Sequence, residues 1–249
     1  MKGLSALIIA KDEEADLPGC LESLKGLAEE IVVVVDEDSS DKTEELALSA
    51  GAKILKRRFD DYARQRQASL DLATKDWCLW IDADERVSPR LADAIRAELS
   101  APKADAYSIP FEVWFLVQRM RWGGLGRERH VRLFNRSQAH FTGGALHEGL
   151  EIDGPITDLK GPMIHIPYRD LAEYEGKLDR YTSLAADKRF AAGKRFRPWH
   201  HLIWPWELFS RAVLKGGFLD GKPGLTWARL SAFHSWLKYA KLRQLDQNK

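Results

Sequence analysis

Apolar residues form two kinds of pattern along the first hundred residues of the chain: short continuous runs, and residues at helical spacing. The segments 4–10, 30–36 and 77–81 are short apolar runs, which are typical of strands buried on both faces of a sheet. Segment 53–57 is a fourth strand candidate, and apolar residues recur at helical spacing over 17–27. Repeated β-α units of this length predict an α/β fold with a doubly wound, mostly parallel sheet flanked by helices.

Capping signals predict where the helices of this region lie. Segment 40–52 is expected to form a helix with Ser40 or Asp41 as its N-cap and a glycine at its end. Further helices are predicted over 62–73 and 88–99, the second with a proline in its first turn.

The second half of the chain has a less regular pattern. Six further elements are predicted: strands over 106–115, 130–135 and 139–143, a helix over 170–192, and helices near 205–215 and 225–245. We therefore expect a sheet domain over 1–168, in halves of 1–105 and 106–168, followed by a helical region over 169–249.

Composition places the chain among globular proteins of a reducing compartment. Its 249 residues are 45% hydrophobic and 30% charged, which is ordinary for a folded domain. Cys20 and Cys78 are the only cysteines, too few for a disulfide framework or a cysteine-based zinc site. The apolar N-terminal run is short and soon acidic, and no run approaches the ~20 apolar residues of a membrane span. We expect a cytoplasmic protein.

Charge is distributed unevenly along the chain. Residues 1–105 carry 15 Lys and Arg against 23 Asp and Glu, whereas residues 187–249 carry 13 against 4 and five of the nine tryptophans. Basic, Trp-rich helices are typical of proteins that lie on anionic membranes, and also of nucleic-acid binders. Alternatively, these are ordinary helices that pack on the sheet domain. Of these three interpretations, we favour helices that dock in the interface of an anionic membrane.

Two predicted strands end in carboxylates. Asp36 follows the second strand, and Asp82, Asp84 and Glu85 follow the fourth. The carboxyl ends of parallel strands meet at one edge of a sheet, so these side chains are expected to converge. An Asp-x-Asp pair there suits Mg²⁺ or Mn²⁺ holding a diphosphate, although acids after strands also serve as plain turn residues. The glycine-rich phosphate loops of dinucleotide enzymes and P-loop NTPases are absent from the sequence.

Four segments together resemble a known enzyme family. "SALIIAKDEE", "VVVVDEDSSDKT", "WIDADE" and "ALHEGL", in this order, resemble family 2 glycosyltransferases with a GT-A fold. The branch that they resemble adds glucose in β-1,4 linkage to the lipopolysaccharide inner core. The resemblance implies an inverting transfer of a hexose, glucose in that branch, from a nucleotide-diphosphate sugar (a UDP-sugar) to a lipid-linked saccharide. It also implies a divalent metal, Mg²⁺ or Mn²⁺, and a peripheral place on the inner face of the cytoplasmic membrane.

The resemblance assigns roles to the residues of the sheet edge. Ala10 and Glu13 would flank the nucleotide pocket, although Lys11 and Asp12 between them depart from the family's Asn-Glu-Glu pattern. Asp36 would hold the uracil or ribose. The Asp-x-Asp pair, Asp82 and Asp84, would hold the metal and the donor diphosphate, with Asp84 as the direct metal ligand.

An inverting transfer needs a base that takes the proton of the acceptor hydroxyl. His147 and Glu148 are adjacent candidates, and neighbours on a strand point to opposite faces. We predict Glu148 as the catalytic base and His147 as a structural or sugar-binding neighbour.

Three arginines precede this segment, at 127, 129 and 132. Arginine binds phosphate in a bidentate manner, so one of them would contact the donor diphosphate or an anionic acceptor, and we predict Arg132 as a donor-binding residue. The alternative for the three arginines is a solvated charge cluster. His165 either completes the metal site or is a core histidine.

Two other functions compete with this interpretation. A polyprenyl-phosphate sugar transferase would use the same donor site, but its ionised phosphate acceptor has less need of a general base. A nucleic-acid-binding protein would use the basic tail, but the acidic strand ends would repel phosphate without a metal. We therefore expect no nucleic-acid partner.

Overall fold

A computed structural model describes residues 3–126, 128–144 and 147–247; for residues 144, 147 and 148 it describes the backbone alone. The chain forms two compact units. Unit 1 contains Met1–Phe111 and Glu128–His165, and unit 2 contains Glu112–Arg127 and Ile166–Lys249. The second unit thus includes the segment 112–127, which the sequence interpretation placed with the sheet domain.

The strands are β1 (Leu4–Ala10), β2 (Glu30–Asp36), β3 (Lys53–Arg57), β4 (Trp77–Trp80), β5 (Glu85–Val87), β6 (Ala106–Phe115), β7 (Gln118–Arg119), β8 (Arg129–Asn135), β9 (Ala139–Gly144), β10 (His147–Ile152), β11 (Ile156–Asp158) and β12 (Met163–His165). Of these described strands, seven correspond to predicted ones, and β5, β7, β10, β11 and β12 were not predicted. The main sheet has the order β3-β2-β1-β4-β8-β6-β12-β5, and β9 and β10 form a separate hairpin. Strands β1 to β4 pair in parallel, whereas β8 is antiparallel to both β4 and β6.

The helices are α1 (Leu17–Leu24), α2 (Thr43–Ser49), α3 (Tyr62–Leu72), α4 (Pro89–Ser100), α5 (Leu171–Ala191), α6 (Ile203–Phe209) and α7 (Gly221–Gln247). Side-chain caps start three of them. The side chains of Asp61, Ser88 and Asp170 accept backbone N–H groups in the first turns of α3, α4 and α5. The predicted α/β fold with a helical C-terminal region is confirmed.

The prediction of an N-cap at Ser40 or Asp41 was wrong. Helix α2 begins at Thr43, and its N-cap, Lys42, makes no side-chain capping bond. The Asp41 carboxylate, one residue before the N-cap, accepts the backbone N–H of Thr43, the first residue of α2, at 2.9 Å, and also that of Glu14 at 2.8 Å. It therefore ties the loop after β1 to the loop after β2, a contact with another part of the fold that local spacing does not reveal.

The core of unit 1 lies on both faces of the sheet. Alternate residues of β1 point in opposite directions, so Ile8 packs in a cluster with α1 and α4, while Leu7 packs in a second cluster that contains Leu70 of α3. Burial on both faces explains why β1 and β2 are almost continuously apolar.

Unit 2 is built around α5 and α7. The Tyr174 hydroxyl donates to the Leu230 carbonyl at 2.9 Å, and the Phe115 ring packs on Trp227 at 5.4 Å. Helix α7 begins at Gly221 rather than near 225, because Pro223 falls in its first turn, where no N–H donor is needed. Over the described residues, no helix is both long and apolar enough to cross a membrane.

Candidate active site

Asp82 lies just beyond β4 and both of its carboxylate oxygens are hydrogen-bonded. Its Oδ1 accepts from Nη2 of Arg66 at 3.2 Å and from the indole N–H of Trp80 at 3.1 Å. Its Oδ2 accepts from Nη2 of Arg132 at 3.2 Å. Burial alone would raise the pKa of Asp82, but the charges of Arg132 and Arg66 outweigh it and hold the pKa well below its usual range. Asp82 is therefore an ionised, rigidly held carboxylate.

Glu85, to which the sequence assigned no role, fixes the turn that carries Asp82. It is 1% exposed, and its Oε2 accepts the backbone N–H of Asp82 at 2.9 Å. Its Oε1 accepts from Nη2 of Arg132 at 2.7 Å. Burial raises the pKa of Glu85 and the charge of Asp82 adds to the rise, against the opposing effect of Arg132.

Asp84 and His165 meet on the other side of this turn. The Asp84 Oδ2 lies 3.3 Å from Nε2 of His165, because β12 pairs with β5 and sets His165 opposite Glu85. Burial disfavours the charged imidazole, but the hydrogen bond and charge of Asp84 outweigh it and raise the pKa of His165. The pair is half-buried, and it places His165 in direct contact with Asp84, the predicted metal ligand.

The side chains near Asp84 can be compared with the ligands that a divalent metal ion requires. Within the described residues, no group of three His, Cys, Asp or Glu side chains is already arranged around a metal position. Both Asp82 oxygens already accept bonds from arginines and an indole, so Asp84 is the freer carboxylate. One carboxylate with solvent and phosphate oxygens suits Mg²⁺ or Mn²⁺. Asp84, with His165 beside it, fits such an ion.

Two guanidinium groups lie against Trp80. The guanidinium carbons of Arg66 and Arg132 are 4.1 Å and 4.0 Å from the Trp80 ring centroid. Cation–π attraction and the shared Asp82 carboxylate therefore hold both arginines in place. Arg66 was missed in the sequence interpretation. The sequence could have indicated Arg66, because it lies at helical spacing from Ala63 and Leu70 and so on the buried face of α3.

These residues line a cleft of about 470 Å³ in unit 1. Its walls are formed by Arg66, Trp80 and Asp82, by residues 129–132 of β8 and by residues 149–150 of β10. This volume falls in the range of small-ligand sites. Its three arginines are each paired with a carboxylate: Arg66 and Arg132 with Asp82, Arg132 also with Glu85, and Arg129 with Asp158.

Asp36 is the last residue of β2. The residue before it, Val35, pairs with Ala10, the last residue of the neighbouring strand β1. Oδ1 of Asp36 accepts the backbone N–H of Asp38 at 3.0 Å, and its Oδ2 lies 3.1 Å from Nζ of Lys11. Burial would raise the pKa of Asp36, but these donors outweigh it and lower the pKa. Lys11, which departs from the family pattern, is thus the ion-pair partner of Asp36.

The loop after β1 is held through its backbone. The Glu13 N–H donates to Oγ1 of Thr43 at 2.7 Å, and Asp12 has a left-handed φ of 55°. Oδ1 of Asp12 accepts from the backbone and hydroxyl of Ser40 at 2.8 and 3.1 Å. These bonds fix the loop in which Glu13 lies.

The remaining candidates fall partly outside the described residues. Glu148 and His147 lie on β10, opposite Gly143 and Gly144 of β9, but their side chains are outside the description. Arg127 lies wholly outside it. Arg129 donates to the carbonyls of Ser108 and Leu159 at 2.6 and 3.1 Å, and lies 3.2 Å from Asp158.

Solved structures of glucosyl-3-phosphoglycerate synthase from Mycobacterium tuberculosis are similar to this chain. The complex with phosphoglyceric acid has a TM-score of 0.48 and 18% identity, over 70% of this chain and 75% of that one. A complex with Mn²⁺, UDP and glucosyl-3-phosphoglycerate has a TM-score of 0.44 and 16% identity, over 70% of this chain and 75% of that one.

Curated relatives match along almost the whole chain. The lipopolysaccharide core biosynthesis glycosyltransferase LpsC of Rhizobium meliloti is 30% identical, over 97% of this chain and 92% of the relative. An uncharacterized glycosyltransferase of Rickettsia typhi is 29% identical, over 99% of this chain and 88% of the relative. Residues 5–147 match the family model described as Glycosyl transferase family 2. The chain therefore belongs to glycosyl transferase family 2, as its motifs predicted, and is a glycosyltransferase.

Proposed function

We propose that this protein is a metal-dependent, inverting glycosyltransferase that moves a hexose, glucose by resemblance, from a UDP-sugar to a lipid-linked saccharide such as lipopolysaccharide core. The observation that carries the proposal is the held Asp-x-Asp turn at the end of β4, two strands from Asp36, in a family 2 chain. The similarity to LpsC over nearly the full length supports the saccharide acceptor.

The donor nucleotide would lie at the ends of β1 and β2. Asp36 is buried and ionised, so it can accept a hydrogen bond from a uracil N–H or a ribose hydroxyl. Ala10 and the loop that carries Glu13 would form the pocket wall. Lys11 would have to share Asp36 with the nucleotide or swing toward its phosphates.

Asp84 would hold the divalent ion, with His165 as its neighbour or second ligand. When bound, the ion supplies Lewis-acid stabilisation of the departing diphosphate. Asp82 would act beside it as a fixed negative charge that holds Arg66 and Arg132 in position.

Glu148 would take the proton from the acceptor hydroxyl. The acceptor oxygen then forms a bond to the anomeric carbon on one face, while the bond from that carbon to the diphosphate oxygen breaks on the other. One displacement of this kind inverts the anomeric configuration. Residues 149–150, which follow Glu148 on β10, line the cleft, so the base would lie beside it.

Unit 2 has an exposed apolar surface that suits a membrane interface. Trp199 and Leu214 are each 62% exposed, and Trp206 and Phe218 are also exposed. Segment 194–222 contains six Lys and Arg against two acids. Of these acids, Glu207 pairs with Arg211 at 3.2 Å and Asp220 is buried, so the exposed charge is mainly positive. Exposed Trp, Leu and Phe among basic residues support docking to the inner face of an anionic membrane.

A donor screen tests the function. Purified protein with lipopolysaccharide core acceptors is incubated with a panel of nucleotide sugars, with and without EDTA, and released nucleoside diphosphate is measured. We expect acceptor-dependent release of UDP from one UDP-hexose, lost with EDTA and restored by Mg²⁺ or Mn²⁺. Release from no UDP-sugar, or full activity in EDTA, would overturn the proposal.

A further inference from the structure

Lys11 lies against Asp36 at the carboxyl ends of β1 and β2. Its Nζ is 3.1 Å from Oδ2 of Asp36 and 4.0 Å from Oδ2 of Asp38. The side chain of Lys11 is 36% exposed, whereas that of Asp36 is only 4% exposed. A molecule that approaches this end of the two strands therefore meets Lys11 before it meets the carboxylate of Asp36.

The Asp36 carboxylate already has partners from the fold. The backbone N–H groups of Asp38 and Phe59 donate to it, and Lys11 is a third donor. An ammonium group has three N–H groups, and the bond to Asp36 uses one of them. Of this ion pair, Lys11 is therefore the member with more hydrogen-bonding capacity to offer a ligand.

The backbone on either side of Lys11 is fixed. Ala10 is the last residue of β1, and Asp12 has the left-handed φ of 55°. The Asp12 N–H donates to Oγ of Ser39 at 3.1 Å, and Oδ1 of Asp12 accepts the backbone N–H of Ser40 at 2.8 Å. Lys11 therefore projects from a defined position, and its ion pair with Asp36 further limits the ordering that a ligand would have to impose.

The charges around Lys11 favour a neutral ligand group over a phosphate. Segments 11–16 and 36–42 together contain eight acidic residues and two lysines. Asp36 also neutralises Lys11 directly. A phosphate at this position would be repelled, whereas a carbonyl oxygen of a nucleobase carries no net charge and accepts a hydrogen bond from an ammonium group.

Two exposed aromatic side chains follow β3 at the same end of the sheet. The backbone N–H of Phe59 donates to Asp36, which places the loop after β3 beside the ion pair. Phe59 is 40% exposed, and its ring centroid lies 4.9 Å from that of Tyr62, which is 47% exposed. Exposed aromatic rings are surfaces on which nucleobases stack, so they also favour a base as the ligand here.

We propose that Lys11, rather than Asp36, makes the direct contact to the nucleobase of the donor, by donating to a carbonyl oxygen of uracil. Asp36 is then a positioning residue that holds the ammonium group of Lys11 in place. This inference rests on the proposed function and deepens it, because it moves the base contact from Asp36 to Lys11 and leaves the donor phosphates to other residues.

A modified nucleotide distinguishes the two contacts in the wild-type protein. Methylation of N3 removes the N–H group that a carboxylate would accept, but it leaves both carbonyl oxygens of uracil in place. Binding of UDP and of 3-methyluridine 5′-diphosphate is measured by isothermal titration calorimetry in the presence of Mn²⁺. We expect the two dissociation constants to differ by less than about fivefold. A larger loss for the methylated nucleotide would return the base contact to Asp36 and overturn the proposal.

Substitutions test how the two residues act together. Lys11→Met keeps the length of the side chain but removes the donor, so UDP affinity should fall by about tenfold, as expected for one hydrogen bond to a charged group. Asp36→Asn should weaken UDP binding on its own but add little to the loss in the Lys11→Met background, because Asp36 acts through Lys11. Lys56→Met is the matched control, since Lys56 is also a paired, part-exposed lysine of unit 1, and its affinity for UDP should stay unchanged.

Inorganic pyrophosphate, titrated with Mn²⁺, separates a base contact from a phosphate contact. We expect the Lys11→Met variant to bind pyrophosphate as the wild-type protein does. A variant that loses affinity for pyrophosphate as well as for UDP would assign Lys11 to the phosphates and overturn the proposal, and full additivity of the two substitutions would contradict the positioning role of Asp36. A failed donor screen with UDP binding that depends on Lys11 would refute the proposed function and leave the base contact standing.

Discussion

The Nη2 atom of Arg132 lies 2.7 Å from Oε1 of Glu85, and both side chains are buried. Glu85 also accepts the backbone N–H of Asp82, so one carboxylate joins the Asp-x-Asp turn after β4 to the middle of β8. This pair therefore sets the distance between the predicted metal turn and the cleft that Arg132 lines.

Replacing Glu85 should destabilise the fold as well as the site. Glu85→Gln leaves Arg132 without its closest counter-charge, and breaking a buried pair costs about 3 kcal/mol or more. Urea unfolding measures this loss. The control is Glu29→Gln, because Glu29 pairs with Lys75 at an exposed position and should contribute less than about 1 kcal/mol. Equal stability of the two variants would contradict a structural role for Glu85.

Replacing Glu148 tests the base. Glu148→Gln keeps the size of the side chain but cannot accept the proton, so turnover should fall at least about 100-fold. Donor affinity, measured by titration with the UDP-sugar, should stay as in the wild-type protein. His147→Gln serves as the neighbouring control and should fall much less. Near-normal turnover of the Glu148→Gln variant would contradict the assignment of Glu148 as the catalytic base.

Metal affinity tests the role of Asp84. Removing its charge with Asp84→Asn should weaken Mn²⁺ binding by roughly tenfold or more, measured by electron paramagnetic resonance without any assay of transfer. Asp93→Asn is a suitable control, since Asp93 is an exposed helical residue of unit 1. If Mn²⁺ binds both variants as tightly as the wild-type protein, the ion is held elsewhere.

Vesicle binding tests the exposed surface of unit 2. A full-length variant with Trp199, Trp206, Leu214 and Phe218 replaced by Ser should lose roughly tenfold or more of its binding to anionic vesicles, because each buried apolar side chain contributes about 1.5–3 kcal/mol. The control variant replaces Leu48 and Ile156, which are exposed in unit 1. Co-sedimentation with vesicles of anionic and of neutral lipid measures both. Unchanged sedimentation of the first variant would refute membrane docking by these residues.

Local pattern was enough to locate most elements. Strands β1, β2, β3 and β6 have the bounds that their apolar runs predict, because burial on a sheet selects residues at each position of a strand. Helix α3 also begins at its predicted first residue, and α4 begins one residue after the start of its predicted segment. The family resemblance came from motifs of consecutive residues, which can be read from the chain directly.

By itself, then, the sequence determined the α/β class, the order of strands β1 to β4 along the chain, the acidic strand ends and the family. Only the tertiary structure decided that β8 lies antiparallel beside β4, which brings Arg132 to Asp82 and Glu85 across about fifty residues of chain. It also showed that Asp41, besides accepting the N–H of Thr43 at the start of α2, joins the loop after β1 to the loop after β2. The physical reason is that hydrophobic periodicity depends on residues close together in the sequence, whereas a buried ion pair depends on which distant strands pair in the sheet.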